Sequence, residues 1–371
     1  MMASETRAAK PIAHVDLSGS PEERGLQHGA ALIDLIPAIV HHHRPAAGMT
    51  PELDAAVRGI EAALTTSCPD VLAELKGIAD GARVPYEDIL WLNAGYEAQG
   101  DALPHARYCT ALGLPNTPEG PLVAKTDDVA LEERGYEVLF RVRPAGGHAL
   151  LCYAFGGTVW NQGGMNARGL ALAMTGLPPA GWRNRDGIPG LLLLRQVLHL
   201  CATVEDALAY VTAHPLRGYG CTLTLADATG GDVFVAEVCG AGVRSVRHSS
   251  AHGTMAVRRA TREATVRTNH PLCAETVALK PDSEWAARYA VPGLQINSEA
   301  RLENARRLVR ETPWTVEGLK GLLGDHTVPG AICQHGQAGL HTSIAMIMVP
   351  WQRVMIVSED YGCGTYSEYA I

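Results

Sequence analysis

Cys109 stands in the string Arg107-Tyr108-Cys109-Thr110-Ala111-Leu112, where the texture of the chain changes. If the Tyr108–Cys109 bond were cut, one residue would carry both a thiol and an α-amino group. An α-amine titrates near ~8 and can accept a proton around neutrality. A complete nucleophile–base pair would then exist without a histidine. The chain has nine cysteines, at 68, 109, 152, 201, 221, 239, 273, 333 and 363, and none forms Cys-x-x-Cys. That spacing removes the usual zinc-ribbon and thioredoxin patterns. In a reducing compartment most of them are expected to be small buried apolar residues.

Three other strings carry chemistry. Thr126-Asp127-Asp128 follows an apolar strand; paired acids suit acid–base work or a metal, and equally suit a turn at a strand end. Arg267-Thr268-Asn269-His270-Pro271 is a polar knot after Val266, or a capped turn fixed by its proline. His41-His42-His43-Arg44 invites a metal, but adjacent side chains on a helix point in different directions. Cations closing a helix are the better account. Phosphate-loop, zinc-helix and nucleophile-elbow signatures are absent. The glycine pairs 156–157 and 163–164 read as turns and close backbone approaches. No cofactor and no metal is called for.

The elements that must position these residues divide at Cys109. Residues 20–99 read as helices: Ser20-Pro21-Glu22-Glu23 and Thr50-Pro51-Glu52 are start signals, and Pro69 and Pro85 open two more runs. After Cys109, strands are expected at 109–114, 121–125, 136–143, 150–155, 170–174, 221–226, 233–238 and 243–247. Helices are expected at 189–201 and 203–213, then 298–311 and 315–323, with closing strands at 342–349 and 354–358. There is no internal repeat and no low-complexity linker. This favours one domain of antiparallel strands and helices in layers.

The composition is 47% hydrophobic and 19% charged, with a net charge of −8. That gives a sizeable core and argues against a nucleic-acid footprint, which needs a basic patch. No apolar stretch is long enough to span a bilayer. The opening Met1–Arg7 is polar, so a cytoplasmic protein is expected.

Read in order, several strings resemble the acyl-coenzyme A:6-aminopenicillanic acid acyltransferase family, the cysteine members of the N-terminal nucleophile (Ntn) hydrolases. They are Gly19-Ser20-Pro21-Glu22-Glu23-Arg24-Gly25-Leu26-Gln27-His28-Gly29, Glu74-Leu75-Lys76-Gly77-Ile78-Ala79-Asp80-Gly81-Ala82 and Cys109-Thr110. Gly163-Gly164-Met165-Asn166-Ala167-Arg168-Gly169-Leu170, Thr268-Asn269-His270, Ser298-Glu299-Ala300-Arg301, Asp325-His326 and Ile332-Cys333-Gln334-His335 follow. The resemblance spans nearly the whole chain. It implies an α+β, four-layer αββα sandwich over 1–371 and an inactive precursor cut before Cys109. The mostly helical fragment 1–108 and the fragment 109–371 would remain one intertwined unit, since separating them would expose a shared core.

The resemblance also implies residue roles. Asn269 matches the family's side-chain donor to the oxyanion, and Asp128 matches the acid that ends the second strand of the first hairpin. Three departures stand out. Asp127 competes for the role of Asp128, and Tyr108 occupies a position where the family commonly has a small residue. Where the penicillin enzyme has a Ser-Arg pair, this chain has Gly339-Leu340-His341-Thr342, so His341 or His335 would stand in. Asp127, His270 and His341 are expected to border a substrate. The expected activity is hydrolysis of a small N-acyl or aminoacyl amide through a cysteine acyl-enzyme. Acyl transfer from a thioester or coenzyme A donor to an amine is the alternative, and an uncut, non-catalytic binding protein the second. The partners expected are a small-molecule amide and the two fragments themselves, with no nucleic acid and no membrane.

Overall fold

The computed structural model describes residues 12–45, 48–99, 108–177, 187–214, 216–217, 220–239, 249–250, 253–278, 294–358 and 360–371. Its elements run β1 (Ala13–Gly19), α1 (Pro21–Ala31), α2 (Ile36–His43), α3 (Pro51–Ser67), α4 (Pro69–Ala82) and α5 (Tyr86–Gln99). Then come β2 (Tyr108–Thr117), β3 (Gly120–Ala130), β4 (Glu137–Pro144), β5 (Leu150–Phe155), β6 (Gly163–Asn166), β7 (Ala171–Gly176) and β8 (Ile188–Pro189). They continue with α6 (Gly190–Leu200), α7 (Val204–Ala213), β9 (Leu216–Arg217), β10 (Cys221–Ala226), β11 (Val233–Cys239), β12 (Ser249–Ser250), β13 (Gly253–Ala260) and β14 (Thr265–Arg267). The last are α8 (Ala274–Val277), α9 (Leu294–Glu311), α10 (Val316–Leu323), β15 (Leu340–Val349), β16 (Val354–Ser358) and β17 (Tyr366–Ala370).

Two sheets dominate. One has nine strands in the order β1-β4-β5-β6-β7-β10-β11-β13-β12; the other has six, β14-β2-β3-β15-β16-β17. Strand alternation sends one set of side chains between the sheets and the other set toward helices. Leu139, Leu151 and Tyr153 of the larger sheet meet Ala111, Val123, Ile344, Met346 and Met348 of the smaller. The opposite face of the larger sheet, Val138, Phe140 and Val142 included, packs under α1–α7. The opposite face of the smaller sheet, with Leu112, Leu122, Ala124 and Ile347, packs under α9 and α10 through Leu302, Ala305, Leu319 and Leu322. These are the four αββα layers.

The prefix strings owe their glycines to packing. A Cβ on Gly25 or Gly29 of α1 would strike the Glu74 or Ile78 carbonyl of α4, and one on Gly77 or Gly81 would strike the Glu22 or Leu26 carbonyl of α1. Two helices meeting backbone to backbone need that bare face. Ser20 caps α1 in a capping box with Glu23.

Several expectations shift. Strand β1 precedes the helices and pairs in parallel with β4, so the sheets are not wholly antiparallel. The first hairpin is longer than its apolar runs, because Asn116 takes a left-handed φ of 51° and lets β2 run on to Thr117. Strands β6, β13, β14 and β17 are short, edge-lying or charged, and their alternation is weak. The strand expected at 243–247 lies outside the described residues. The three histidines do close α2. Among the described residues no helix is long and apolar enough to cross a membrane.

Candidate active site

The hairpin of β2 and β3 places the candidate nucleophile. In its register Cys109 lies opposite Asp127, Ala111 opposite Lys125, and Tyr108 opposite Asp128. Partners directly opposite one another share a face of the sheet. Cys109, Lys125 and Asp127 therefore point into the inter-sheet layer. Tyr108, Thr110 and Asp128 point toward α9.

Each polar handle of Cys109 is held by a fixed group. Its thiol donates to Asp127 Oδ1 at 3.0 Å. Its backbone N–H donates to Asn269 Oδ1 at 2.9 Å. Its carbonyl accepts from Arg301 at 2.6 Å. Asp127 is in turn fixed by the Tyr153 hydroxyl, which crosses from β5 to donate to Oδ2 at 2.5 Å. Lys125 Nζ stands 3.5 Å from Asp127 Oδ1, and both side chains are fully buried. Gly163 on β6 makes room for this lysine: a Cβ there would lie 2.7 Å from Met346 Sδ and 3.4 Å from Lys125 Cδ.

Arg301 is the keystone of the other face. It is completely buried. Beyond the Cys109 carbonyl it donates to Thr110 Oγ1 and Asn269 Oδ1, each at 2.9 Å, and to Asn297 Oδ1 at 2.8 Å. The planar fork of arginine spans such a set; a point-like ammonium would not. Two donors converge on Asn269 Oδ1, which fixes that amide's orientation and turns its NH₂ to the Gly176 carbonyl at 3.2 Å.

Electrostatics make the thiol reluctant to ionise. Burial, then the Asp127 carboxylate, pushes the Cys109 thiol up to about 12; the Lys125 charge pulls against both. A thiol of this kind is protonated at neutral pH and needs a base to become a nucleophile. Burial also raises the Asp128 carboxyl to about 6, against the opposing pull of Arg301 and of Thr342, which donates to it at 2.7 Å. Asp128 Oδ2 has no hydrogen-bond partner among the described residues.

The expected site residues thus separate. Cys109, Asp127 and Asn269 come together, with Tyr108 beside them and its ring 5.8 Å from the Arg301 guanidinium carbon. Asp128, the acid expected near the nucleophile with Asp127 as its competitor, sits one pleat away on the opposite face of the hairpin, and Asp127 is the acid at the thiol. His270 Nδ1 pairs with Ser298 Oγ at 2.8 Å, and His341 Nδ1 with the Tyr361 hydroxyl at 3.1 Å. Lys125, Tyr153 and Arg301 carried no expected role. The signal for Lys125 was present, a lone cation directly after the apolar run Leu122-Val123-Ala124. Two side-chain groups among the described residues have the make-up to hold a metal: His326, Cys333, His335 and Cys363, and His42, His43 and Glu133.

Comparison with known proteins bears on the whole. The Caenorhabditis elegans orthologue of N-acylethanolamine-hydrolyzing acid amidase matches 66% of this chain and 93% of its own at 13% identity, with a TM-score of 0.45. Two variants of the conjugated bile acid hydrolase from Clostridium perfringens match 71% of this chain and 97% of their own at 12% and 14% identity, each with a TM-score of 0.42. No curated protein matches. Residues 115–333, more than half of the chain, match the family described as acyl-coenzyme A:6-aminopenicillanic acid acyl-transferase, and the chain belongs to that family.

Proposed function

We propose that this protein is a self-processing cysteine amidohydrolase that uses Cys109 first on its own chain and then on a small amide. The observation that carries the reading is the threefold hold on Cys109, by Asp127 at the thiol, Asn269 at the N–H and Arg301 at the carbonyl. The thiol contact is the telling one: any buried residue needs partners for its N–H and carbonyl, whereas a cysteine kept only for packing needs no carboxylate at its sulfur. The family match begins at residue 115, so the choice of nucleophile rests on this geometry.

In the uncut chain Asp127 accepts the thiol proton and the sulfur attacks the Tyr108 carbonyl carbon. The proton passes to the Cys109 nitrogen as the peptide bond breaks, leaving a thioester. Water hydrolyses it, giving a Tyr108 carboxylate and a Cys109 with free amine and free thiol. The new amine becomes the base for the second reaction. Its sulfur attacks the substrate carbonyl, the amine part leaves with the proton, and water releases the acyl group. Asn269 is assigned to the oxyanion through its NH₂, which must turn from Gly176; such a donor is typically worth ~3 kcal/mol.

Lys125 and Tyr153 hold Asp127 in place. Departure of Tyr108 would uncover Asp128 and Arg301 on the α9 face of the hairpin, while the substrate carbonyl must reach the thiol on the Asp127 face. Acyl transfer uses the same acyl-enzyme, with an amine in place of water. The family's own description keeps it as the second reading.

Intact mass of the purified chain tests the first reaction. Wild type should separate into fragments 1–108 and 109–371, and Cys109→Ala should remain whole. A single uncut species in both would overturn the proposal. With cut enzyme, free acid released from N-acyl amides in the presence of competing amine reads out hydrolysis; N-acylated amine reads out transfer.

A further inference from the structure

We propose that His326, Cys333, His335 and Cys363 form a Cys₂His₂ site for one zinc ion, outside the Cys109 centre. Their ligand atoms all lie within 4.8 Å of one another. His335 Nε2 is 3.4 Å from Cys333 Sγ and 3.6 Å from Cys363 Sγ. A tetrahedral zinc with Zn–S near 2.3 Å and Zn–N near 2.0–2.1 Å sets its sulfur and nitrogen ligands about 3.5 Å apart. Both separations sit at that edge length. Hydrogen bonding explains them less well, because one ring nitrogen aimed at two thiols can serve only one of them at a time. Two thiolates and two imidazoles at tetrahedral spacing are a donor set that suits zinc.

The chain is built to bring these four together. The Cys333 N–H donates to the Asp325 carbonyl at 2.9 Å, which closes the loop after α10 and sets His326 beside Cys333. The His326 and His335 rings meet edge to face at 4.7 Å. Cys363 arrives on the segment between β16 and β17. That segment touches the end of α10 so closely that a Cβ on Gly324 would lie 3.1 Å from Cys363 Cα. His335 stacks on Tyr361 at 3.7 Å, which fixes its ring plane. Cys333 is buried, whereas His326, His335 and Cys363 reach the surface, so an ion has a way in.

The position gives the ion a structural task near the proposed active site. Gln334 lies between two of the ligands. Its N–H donates to Thr342 Oγ1 at 2.7 Å, the hydroxyl that in turn donates to Asp128. Its side-chain carbonyl accepts from Asn297 at 3.3 Å, and Asn297 holds Arg301. A bound zinc would pin three chain segments behind the arginine that grips Cys109. The zinc proposal itself depends only on the four side chains and stands or falls apart from the amidase reading.

Full-length protein, purified under reduction and stripped with chelator, is titrated with Zn²⁺ and separately with Co²⁺. The expected results are one zinc per chain by elemental analysis and, with cobalt, thiolate charge-transfer absorption with the strong visible bands of a tetrahedral site. Partners that merely orient ligands are worth 10–100-fold in affinity, so losing a ligand should cost more than about 100-fold. His326→Ala and Cys363→Ser each remove an exposed ligand and leave the core intact. Circular dichroism confirms their fold. Absence of stoichiometric metal in the reduced wild type overturns the site. So does undiminished binding in the folded His326→Ala/Cys363→Ser double variant, or a Cys333–Cys363 disulfide whose reduction restores no binding.

Discussion

Two buried ionic clusters in this molecule look alike in composition and differ in how they are satisfied. In the outer helical layer, Arg24 donates to Glu74 through Nε at 3.2 Å and through a terminal nitrogen at 2.7 Å, and to the Gly19 carbonyl at 2.9 Å. Arg195 stands 3.7 Å from the other Glu74 oxygen. Each charge there ties helices to one another, with no nucleophile among them. Between the sheets, Lys125, Asp127 and Tyr153 surround a thiol, and Lys125 Nζ makes no hydrogen bond among the described residues. A cluster that only holds a fold together spends its donors on fixed acceptors. The cluster proposed to move protons sets groups that shift one another's titration around its nucleophile.

The largest break in this comparison comes from the inter-sheet cluster. Asp127→Asn, isosteric and neutral, should leave the chain uncut, as Cys109→Ala does. It should also lower the thermal midpoint, because Lys125 loses the buried carboxylate 3.5 Å away that compensates its charge. Rapid cutting in Asp127→Asn would move the base role elsewhere. Glu74→Ala should affect stability alone. Two arginines left buried without their acid should cost about 3–5 kcal/mol of stability, read by denaturant unfolding, while the folded fraction still cuts itself.

The sequence made these clusters unequally legible. Arg24 and Glu74 lie in strings that the family resemblance picked out, but nothing in those strings paired the two residues. Cys109 could be singled out because motif order surrounded it. Which of Asp127 and Asp128 shares the face of the thiol could not be read without a register, because adjacent acids differ only in parity and a shift of one residue exchanges their faces. Arg301 was hidden for another reason. It lies 192 positions beyond Cys109, and an arginine on an amphipathic helix ordinarily faces water. The helical prefix was clear from its caps, whereas β1 was missed although Val15 and Leu17 alternate with the polar His14, Asp16 and Ser18.

Arg301 offers a finer cut. Arg301→Lys keeps the charge and removes the fork, so Cys109 should lose its carbonyl grip while the cluster stays neutralised. A misplacement of about 1 Å can cost on the order of 10²-fold in rate. Self-cleavage in Arg301→Lys should slow by that order, with near-native circular dichroism. An unchanged rate would reduce Arg301 to a packing role.

The smallest effect separates the two clusters by pH, and its sign can be worked out for each. His28, beside the outer cluster, accepts from the Gly157 N–H at 2.9 Å; burial, with Arg195 adding to it, lowers its pKa from 6.5 to about 3. The unfolded chain therefore binds the extra proton between those values, and stability from this group falls as pH drops below 6.5. Asp128 goes the other way. Its carboxyl is raised from 3.8 to about 6, so the folded chain binds the extra proton there, and stability from this group falls as pH rises from 3.8 through 6. Asp128→Asn removes only the second contribution. Measured by urea unfolding of uncut Cys109→Ala protein, the stability of Asp128→Asn relative to its parent should increase as pH rises from 4 to 7. A difference that stays flat over that range would mean that Asp128 titrates in the folded chain as it does in the unfolded one. The Arg301 and Thr342 contacts would then offset burial in full, and the helix face of the hairpin would be as fully matched as the outer cluster.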